Sequence, residues 1–135
     1  MNIRKYNDSD KKQVIKLYNL CFEHECDDFN MNSSGEIIVI ETDDNNIIGM
    51  ATIDIMTDVF RNVKYAYLNN ICIHPGYQKK GLGSLLIKEI ENYSKDNGCA
   101  YLMLTSNKNR ISAHKLYLKN KFEIIDTCVF KKYLN

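Results

Sequence analysis

Residues 68–86 read LNNICIHPGYQKKGLGSLL, and this stretch decides the fold. Ile71 and Ile73 close a strand, and Pro75 and Gly76 break it. Gly81-Leu82-Gly83 then leads into apolar positions at helical spacing: Leu82, Leu85, Leu86, Ile90 and Tyr93. A glycine loop between a strand and a helix presents unpaired backbone N–H groups, and the positive end of a helix dipole, to an anion. A phosphate group is the natural guest.

Glycine spacing narrows the ligand. A dinucleotide fingerprint, GxGxxG, would need its third small residue where Leu86 stands. Gly76 and Gly81 have the separation of a P-loop, but Leu82-Gly83 replaces the lysine and the hydroxyl residue that would hold phosphate and magnesium. What is left, Gln78-Lys79-Lys80-Gly81-Leu82-Gly83 after Ile-Cys-Ile-His-Pro, resembles the pyrophosphate loop of the GNAT superfamily of N-acetyltransferases, Gln/Arg-x-x-Gly-x-Gly/Ala. In that family the loop binds coenzyme A. Further on, RISAHKLYLKNKF resembles the family's RxxAHxFYxxxGF through Arg110, Ala113, His114, Leu116, Tyr117 and Phe122. Two motifs in the right order, with a strand between them, cover about half the chain. Lys121 departs from the pattern, which has glycine there. A side chain held at positive φ costs about 1 kcal/mol, unless Asn120 takes that conformation instead.

The composition fits one domain, 1–135, with a real core: 135 residues, 44% of them hydrophobic. Eighteen basic residues against seventeen acidic give a net charge of +1, which supports neither a nucleic-acid footprint nor an acidic tail. No apolar run of about 18 residues suggests a membrane span, and MNIRKYNDSDKK lacks a signal-peptide core, so a cytoplasmic protein is expected. The five cysteines are odd in number and scattered, consistent with free thiols in a reducing compartment. Cys21, His24 and Cys26 lack the second half of a metal site.

In chain order, residues 3–6 read as a short strand, and Asn7-Asp8-Ser9-Asp10 as a cap for a helix with Val14, Leu17, Tyr18 and Cys21 inward. Residues 22–36 lose periodicity. They read either as a solvated connection, which loop polarity alone favours, or as a lip whose Glu23, Glu25, Asp27 and Asp28 attract a cationic amine. Residues 37–42 and 47–56 read as an antiparallel hairpin around Asp43-Asp44-Asn45-Asn46. Residues 58–64 read as a polar connection, and 65–73 as a third strand. Asn69-Asn70 breaks its alternation and predicts a bulge. After a helix ending at Asn97-Gly98, residues 99–105 read as a strand parallel to 65–73. Residues 122–133 read as one interrupted strand or a tight pair.

The resemblance implies an α/β GNAT fold: a mixed, mostly antiparallel sheet with a central splayed parallel pair, flanked by helices. It implies acetyl transfer from acetyl-CoA to a primary amine by direct attack in a ternary complex. Backbone groups around Gln78, Lys79, Lys80, Gly81, Leu82, Gly83 and Ser84 would hold pyrophosphate. The strand edge at Ile71, Cys72 and Ile73 would pair with pantetheine, and Asn109 is also assigned to the cofactor. Tyr117 is expected to protonate the departing thiolate. Many family members carry a glutamate where this chain has Asn69 or Asn70, so these two are expected to orient a water or the amine, and the base is left to another carboxylate. His74 reads as the start of the loop rather than as that base. The AHxxY segment resembles small-molecule acetyltransferases, including aminoglycoside and aminophosphonate types, which favours a small amine acceptor recognised by 22–36 and 58–64. A CoA-binding regulatory module, and an acetyltransferase acting on a protein or tRNA-linked amine, are the alternatives. Dimers are common in the family, which leaves a homodimer open.

Overall fold

The computed structural model describes residues 1–31 and 35–135, in two compact units, Met1–Thr105 and Ser106–Asn135. Of the loop expected at Asn32-Ser33-Ser34-Gly35, the first three residues lie outside the described residues. In the larger unit five strands form one sheet in sequential order: β1 (Asn2–Lys5), β2 (Gly35–Glu41), β3 (Ile47–Asp58), β4 (Val63–Ile73) and β5 (Cys99–Met103). Pairing is antiparallel from β1 through β4 and parallel between β4 and β5. The expected mixed, mostly antiparallel sheet is present. Its parallel pair, however, lies at one edge rather than in the centre, because among the described residues no strand follows β5 in the sheet.

The entry into the first helix follows from three side chains. Asn7 caps a 3-10 turn, Asp8–Asp10, in a capping box closed by Asp10, and α1 (Lys11–Phe22) follows directly. Asp10 is buried but satisfied: Arg4 donates to its two oxygens at 2.7 and 2.8 Å, and the Asn7 N–H donates at 2.9 Å. Arg4 also bonds Glu41 at 2.8 Å, so β1, the cap and β2 share one guanidinium.

Alternation along the strands divides the core between two faces. Ile37, Val39, Met50 and Cys72 cluster with Val14 and Leu17 of α1. Ile38, Ile40, Ile53 and Leu68 point the other way, where α2 (Leu82–Asp96) packs on the sheet and buries Leu86, Ile87 and Ile90. Leu85, expected inward, is 54% exposed; the inward position belongs to Ile87, two residues on and about 200° round the helix. The helix ends as predicted, with Gly98 at φ +77.

The 43–46 hairpin closes through the Asn45 N–H on the Thr42 carbonyl at 2.9 Å, with Asn45 at φ +64. The polar connection expected at 58–64 is shorter. β3 and β4 stay paired out to Asp58 and Val63, and the turn between them uses Asn62 at φ +54.

In the smaller unit α3 (Ile111–Lys119) carries the expected RISAHKLY helix. The left-handed position after it falls on Lys121, φ +71, rather than Asn120, φ −94. Phe122 N–H bonds the Tyr117 carbonyl at 3.0 Å, Lys121 N–H bonds that of Leu118 at 3.1 Å, and the Phe122 and Tyr117 rings meet at 5.6 Å. These are the two bonds and the apolar contact of a Schellman motif, which fix the conformation although the residue is not glycine. The strand expected at 122–133 is not formed: residues 122–135 have no regular structure. Apolar residues occur there as neighbours, Ile124-Ile125 and Val129-Phe130, so no single strand face collects them, and Phe130 is 92% exposed.

Candidate active site

The centre of the larger unit is a fault in β4. Cys72 pairs with Met50 and Asn69 with Thr52, so Asn70 and Ile71 together oppose Ala51. Asn70 takes φ +56, which a side chain of this type tolerates better than most. The Thr52 hydroxyl donates to the Asn69 carbonyl at 3.0 Å and accepts from the Asn70 side-chain amide at 3.2 Å, tying the bulge to β3. The bulge predicted from Asn69-Asn70 is therefore present, and both asparagines help to hold it.

Beside the bulge the sheet splays. β5 pairs with β4 only from Lys64 to Tyr67, leaving the β4 edge from Leu68 to Ile73 without a strand neighbour on that side among the described residues. An extended chain carrying amides can pair with such an edge, and the pantetheine arm of coenzyme A is one. Ile71 and Cys72 are buried and Ile73 half-buried, so it is their backbone that the slot offers.

The loop that follows is set by local bonds. His74 Nδ1 accepts the Gly76 N–H at 2.9 Å, Tyr77 N–H reaches the His74 carbonyl at 2.8 Å, and the Gln78 side chain donates to the Ile73 carbonyl at 3.1 Å. His74 thus shapes the turn, as its reading as a loop start anticipated. Lys79 (φ +62) and Gly81 (φ +79) then aim the chain into α2. A Cβ on Gly81 would meet nothing within 4 Å, so the glycine is required by its conformation and keeps open ground before the helix. The N–H groups of Gly81, Leu82 and Gly83 lie at this helix start, where the first turn lacks intrahelical acceptors, and exposed Lys79 and Lys80 flank it. Ser84 belongs to the same turn and is half-buried. Slot and loop together suit a pyrophosphate on an extended arm.

On the α1 face a cavity of about 700 Å³ opens among α1, residues 24–31, the start of β2, β3 and Asn70. Its size is that of a small-molecule site. Residues 24–31 do not form a free solvated connection. The Asn19 side chain clamps the Cys26 backbone with bonds of 2.8 and 3.0 Å, and Phe29 packs on Tyr6 at 5.7 Å. Of the four lip carboxylates, Asp27 and Asp28 line the cavity; Glu23 and Glu25 do not. Asp28 is paired with Lys11 at 2.5 Å, which holds it below the usual carboxylate range. Residues 58–64, expected to share in acceptor recognition, do not line this cavity. Sequence reasoning missed Asp54. It lines the cavity half-buried, and its carboxylate has no hydrogen bond or ion pair among the described residues. Alternation puts it on the face of Met50 and Thr52, but only the β3–β4 register ties that face to the bulge.

In the smaller unit Tyr117 is buried, 8% exposed, and burial pushes its phenol above the ordinary value while Arg110 opposes. It is therefore a protonated hydroxyl at neutral pH. His114 Nε2 lies 3.2 Å from the Ser106 hydroxyl, and Asn109 is exposed with its N–H on the Asn107 side chain at 2.9 Å.

Comparison with known proteins agrees with this geometry. Among curated proteins, streptothricin acetyltransferase A of Bacillus subtilis (strain 168) is 32% identical over 71 residues, 51% of this chain and 41% of that protein. The chain spans less than half the length of the curated relatives it matches. An aminoglycoside acetyltransferase from an uncultured soil metagenomic sample, solved with sisomicin, superposes with TM-score 0.85 at 17% identity, over 99% of this chain and 95% of its own. The structure of AAC(6')-Iy with a bisubstrate CoA analogue gives TM-score 0.85 at 16% identity, over 99% and 98%. At such identities these structures speak for the fold. The model of the acetyltransferase (GNAT) family matches residues 5–122, and on that match the chain belongs to the GNAT family of acetyltransferases.

Proposed function

We propose that this chain transfers an acetyl group from acetyl-CoA to a primary amine of a small molecule, with both substrates bound at once and the two compact units acting as one catalytic domain. The observation that carries the reading is the conjunction, within one unit, of a β4 edge splayed beside a bulge and a glycine-started helix directly after it. Acetyl-CoA supplies the activated acetyl thioester. The N–H groups from Lys80 to Ser84 hold its pyrophosphate, with Gln78 and Lys79 shaping and flanking the loop and Asn109 adding a polar contact. The edge at Ile71, Cys72 and Ile73 pairs with the pantetheine amides and points an N–H at the thioester oxygen, where negative charge develops. Asn69 and Asn70 keep that edge open, and the Tyr117 hydroxyl gives its proton to the departing thiolate. The named activities of streptothricin and aminoglycoside acetyltransferases support a small amine acceptor. Thiol release from acetyl-CoA, followed across polyamines, aminoglycosides, amino acids, aminophosphonates and peptides, tests the reading. Release that depends on one class of amine is the expected result. Tight CoA binding with no release for any amine would make the chain a CoA-binding module instead.

A further inference from the structure

We propose that the acceptor is an amphiphilic primary amine, its apolar body lodged in the 700 Å³ cavity and its nitrogen held by Asp54, which also receives the proton that the nitrogen loses. The inference rests on the acetyl transfer proposed above.

The body of the acceptor follows from the walls. Tyr18, Phe29 and Met50 stand among a chiefly apolar lining, and a polyhydroxylated ligand placed against them would leave hydroxyl groups without partners. The head follows from the carboxylates. Asp28 is taken by Lys11, Asp27 is exposed, and Glu36 accepts from the Ile37 N–H at 3.0 Å while its charge adds to the burial that raises the Tyr93 phenol on the other side of β2. Asp54 is half-buried in the cavity wall, and its carboxylate has no ion pair or hydrogen bond among the described residues. A carboxylate so placed is satisfied by a cation that fills the cavity.

Position along β3 links this carboxylate to the reacting end of the slot. Thr52, two residues before Asp54 on the same face, is bonded to both asparagines of the bulge. Two strand residues span roughly 7 Å. A nitrogen between Asp54 and the bulge is thus in reach of the carboxylate, directly or through one water. The step balances without a further reactant. The bound ammonium first gives a proton to Asp54, which passes it to water. The freed amine nitrogen attacks the thioester carbonyl carbon, forming C–N; its remaining acidic N–H passes a second proton to Asp54; C–S breaks, and the thiolate takes up a proton from Tyr117, which water restores. Asp54 then returns this second proton to water.

Calorimetry at pH 7 with 2-phenylethylamine, 2-phenylethanol, glucosamine and CoA tests this directly. Wild-type protein should bind 2-phenylethylamine at least tenfold more tightly than either of the other two small probes. Asp54→Asn should lose that preference and lower kcat for its acetylation at least tenfold, with CoA affinity unchanged and Asp54→Glu partly restoring both. Glu25→Gln, whose side chain does not line the cavity, should behave as wild type. CoA binding without 2-phenylethylamine binding, or equal amine affinity and kcat in Asp54→Asn, overturns the inference alone. Amine binding lost in Asp54→Asn from a protein that does not bind CoA would uphold the amine site and remove the acetyl-transfer reading.

Discussion

Tyr117 stands where a motif reading and a packing reading meet, because a buried tyrosine on a helix serves either purpose. Its raised phenol pKa keeps the proton on through neutral pH. If it protonates the thiolate, Tyr117→Phe should lower kcat by about 10²-fold, with CoA affinity and melting temperature nearly unchanged. The alkaline limb of the wild-type rate, displaced upward from the ordinary phenol range by burial, should vanish in that variant. A wild-type kcat would return Tyr117 to the core. Asp10 offers a separate test. The Arg4 hydrogen bonds hold its carboxyl below the usual range against the desolvation that raises it. A depressed folded pKa contributes stability above the unfolded value of about 3.9 that is lost as pH falls through the folded one. Asp10→Asn should therefore cost about 3 kcal/mol at pH 7, and the gap to wild type should close in denaturant melts taken near pH 2. Asn7 and Asp10 were legible as a cap because capping is local. The link from Arg4 to Asp10 and Glu41 was not, since it needs the pairing of β1 with β2.

At the scale of elements, local chemistry carried the reading where a turn residue or an interrupted alternation fixed the backbone. Asn69-Asn70 marked the bulge, Asn45 the hairpin and Gly98 the end of α2. It failed where a partner decides. Residues 122–133 have strand-like composition, yet β-propensity expresses fit to a neighbour, and no strand among the described residues pairs with them. Residues 58–64 looked like a loop because Arg61, Asn62 and Lys64 are polar, though β3 and β4 pair almost to the turn. The end of α3 gives a clean element-level prediction. Lys121 sits at φ +71 inside a complete Schellman motif, so Lys121→Gly should raise stability by about 1 kcal/mol, read as a shifted urea midpoint at constant m-value.

Across the whole molecule, fold and cofactor were more legible than the acceptor, for a physical reason. A cofactor loop is contiguous and needs glycine at set positions, whereas the cavity draws on α1, residues 24–31, β2 and β3, and Asp54, whose carboxylate has no partner among the described residues, is tied to it only once the register is known. Residues 123–135, exposed and without regular structure, should be the first cut by trypsin, after Lys131 and Lys132, so that a fragment ending there persists on the gel. Early cleavage within β2 to β4 would contradict the architecture. The account as a whole depends on coenzyme A seating its pyrophosphate at the start of α2. Calorimetric titration of CoA into wild type and Gly83→Val, with circular dichroism confirming equal folding, tests that most directly. At least a tenfold weaker dissociation constant in the variant is predicted, because a side chain in the first helical turn blocks the close approach of phosphate to backbone N–H groups. Equal dissociation constants in the two proteins would contradict it.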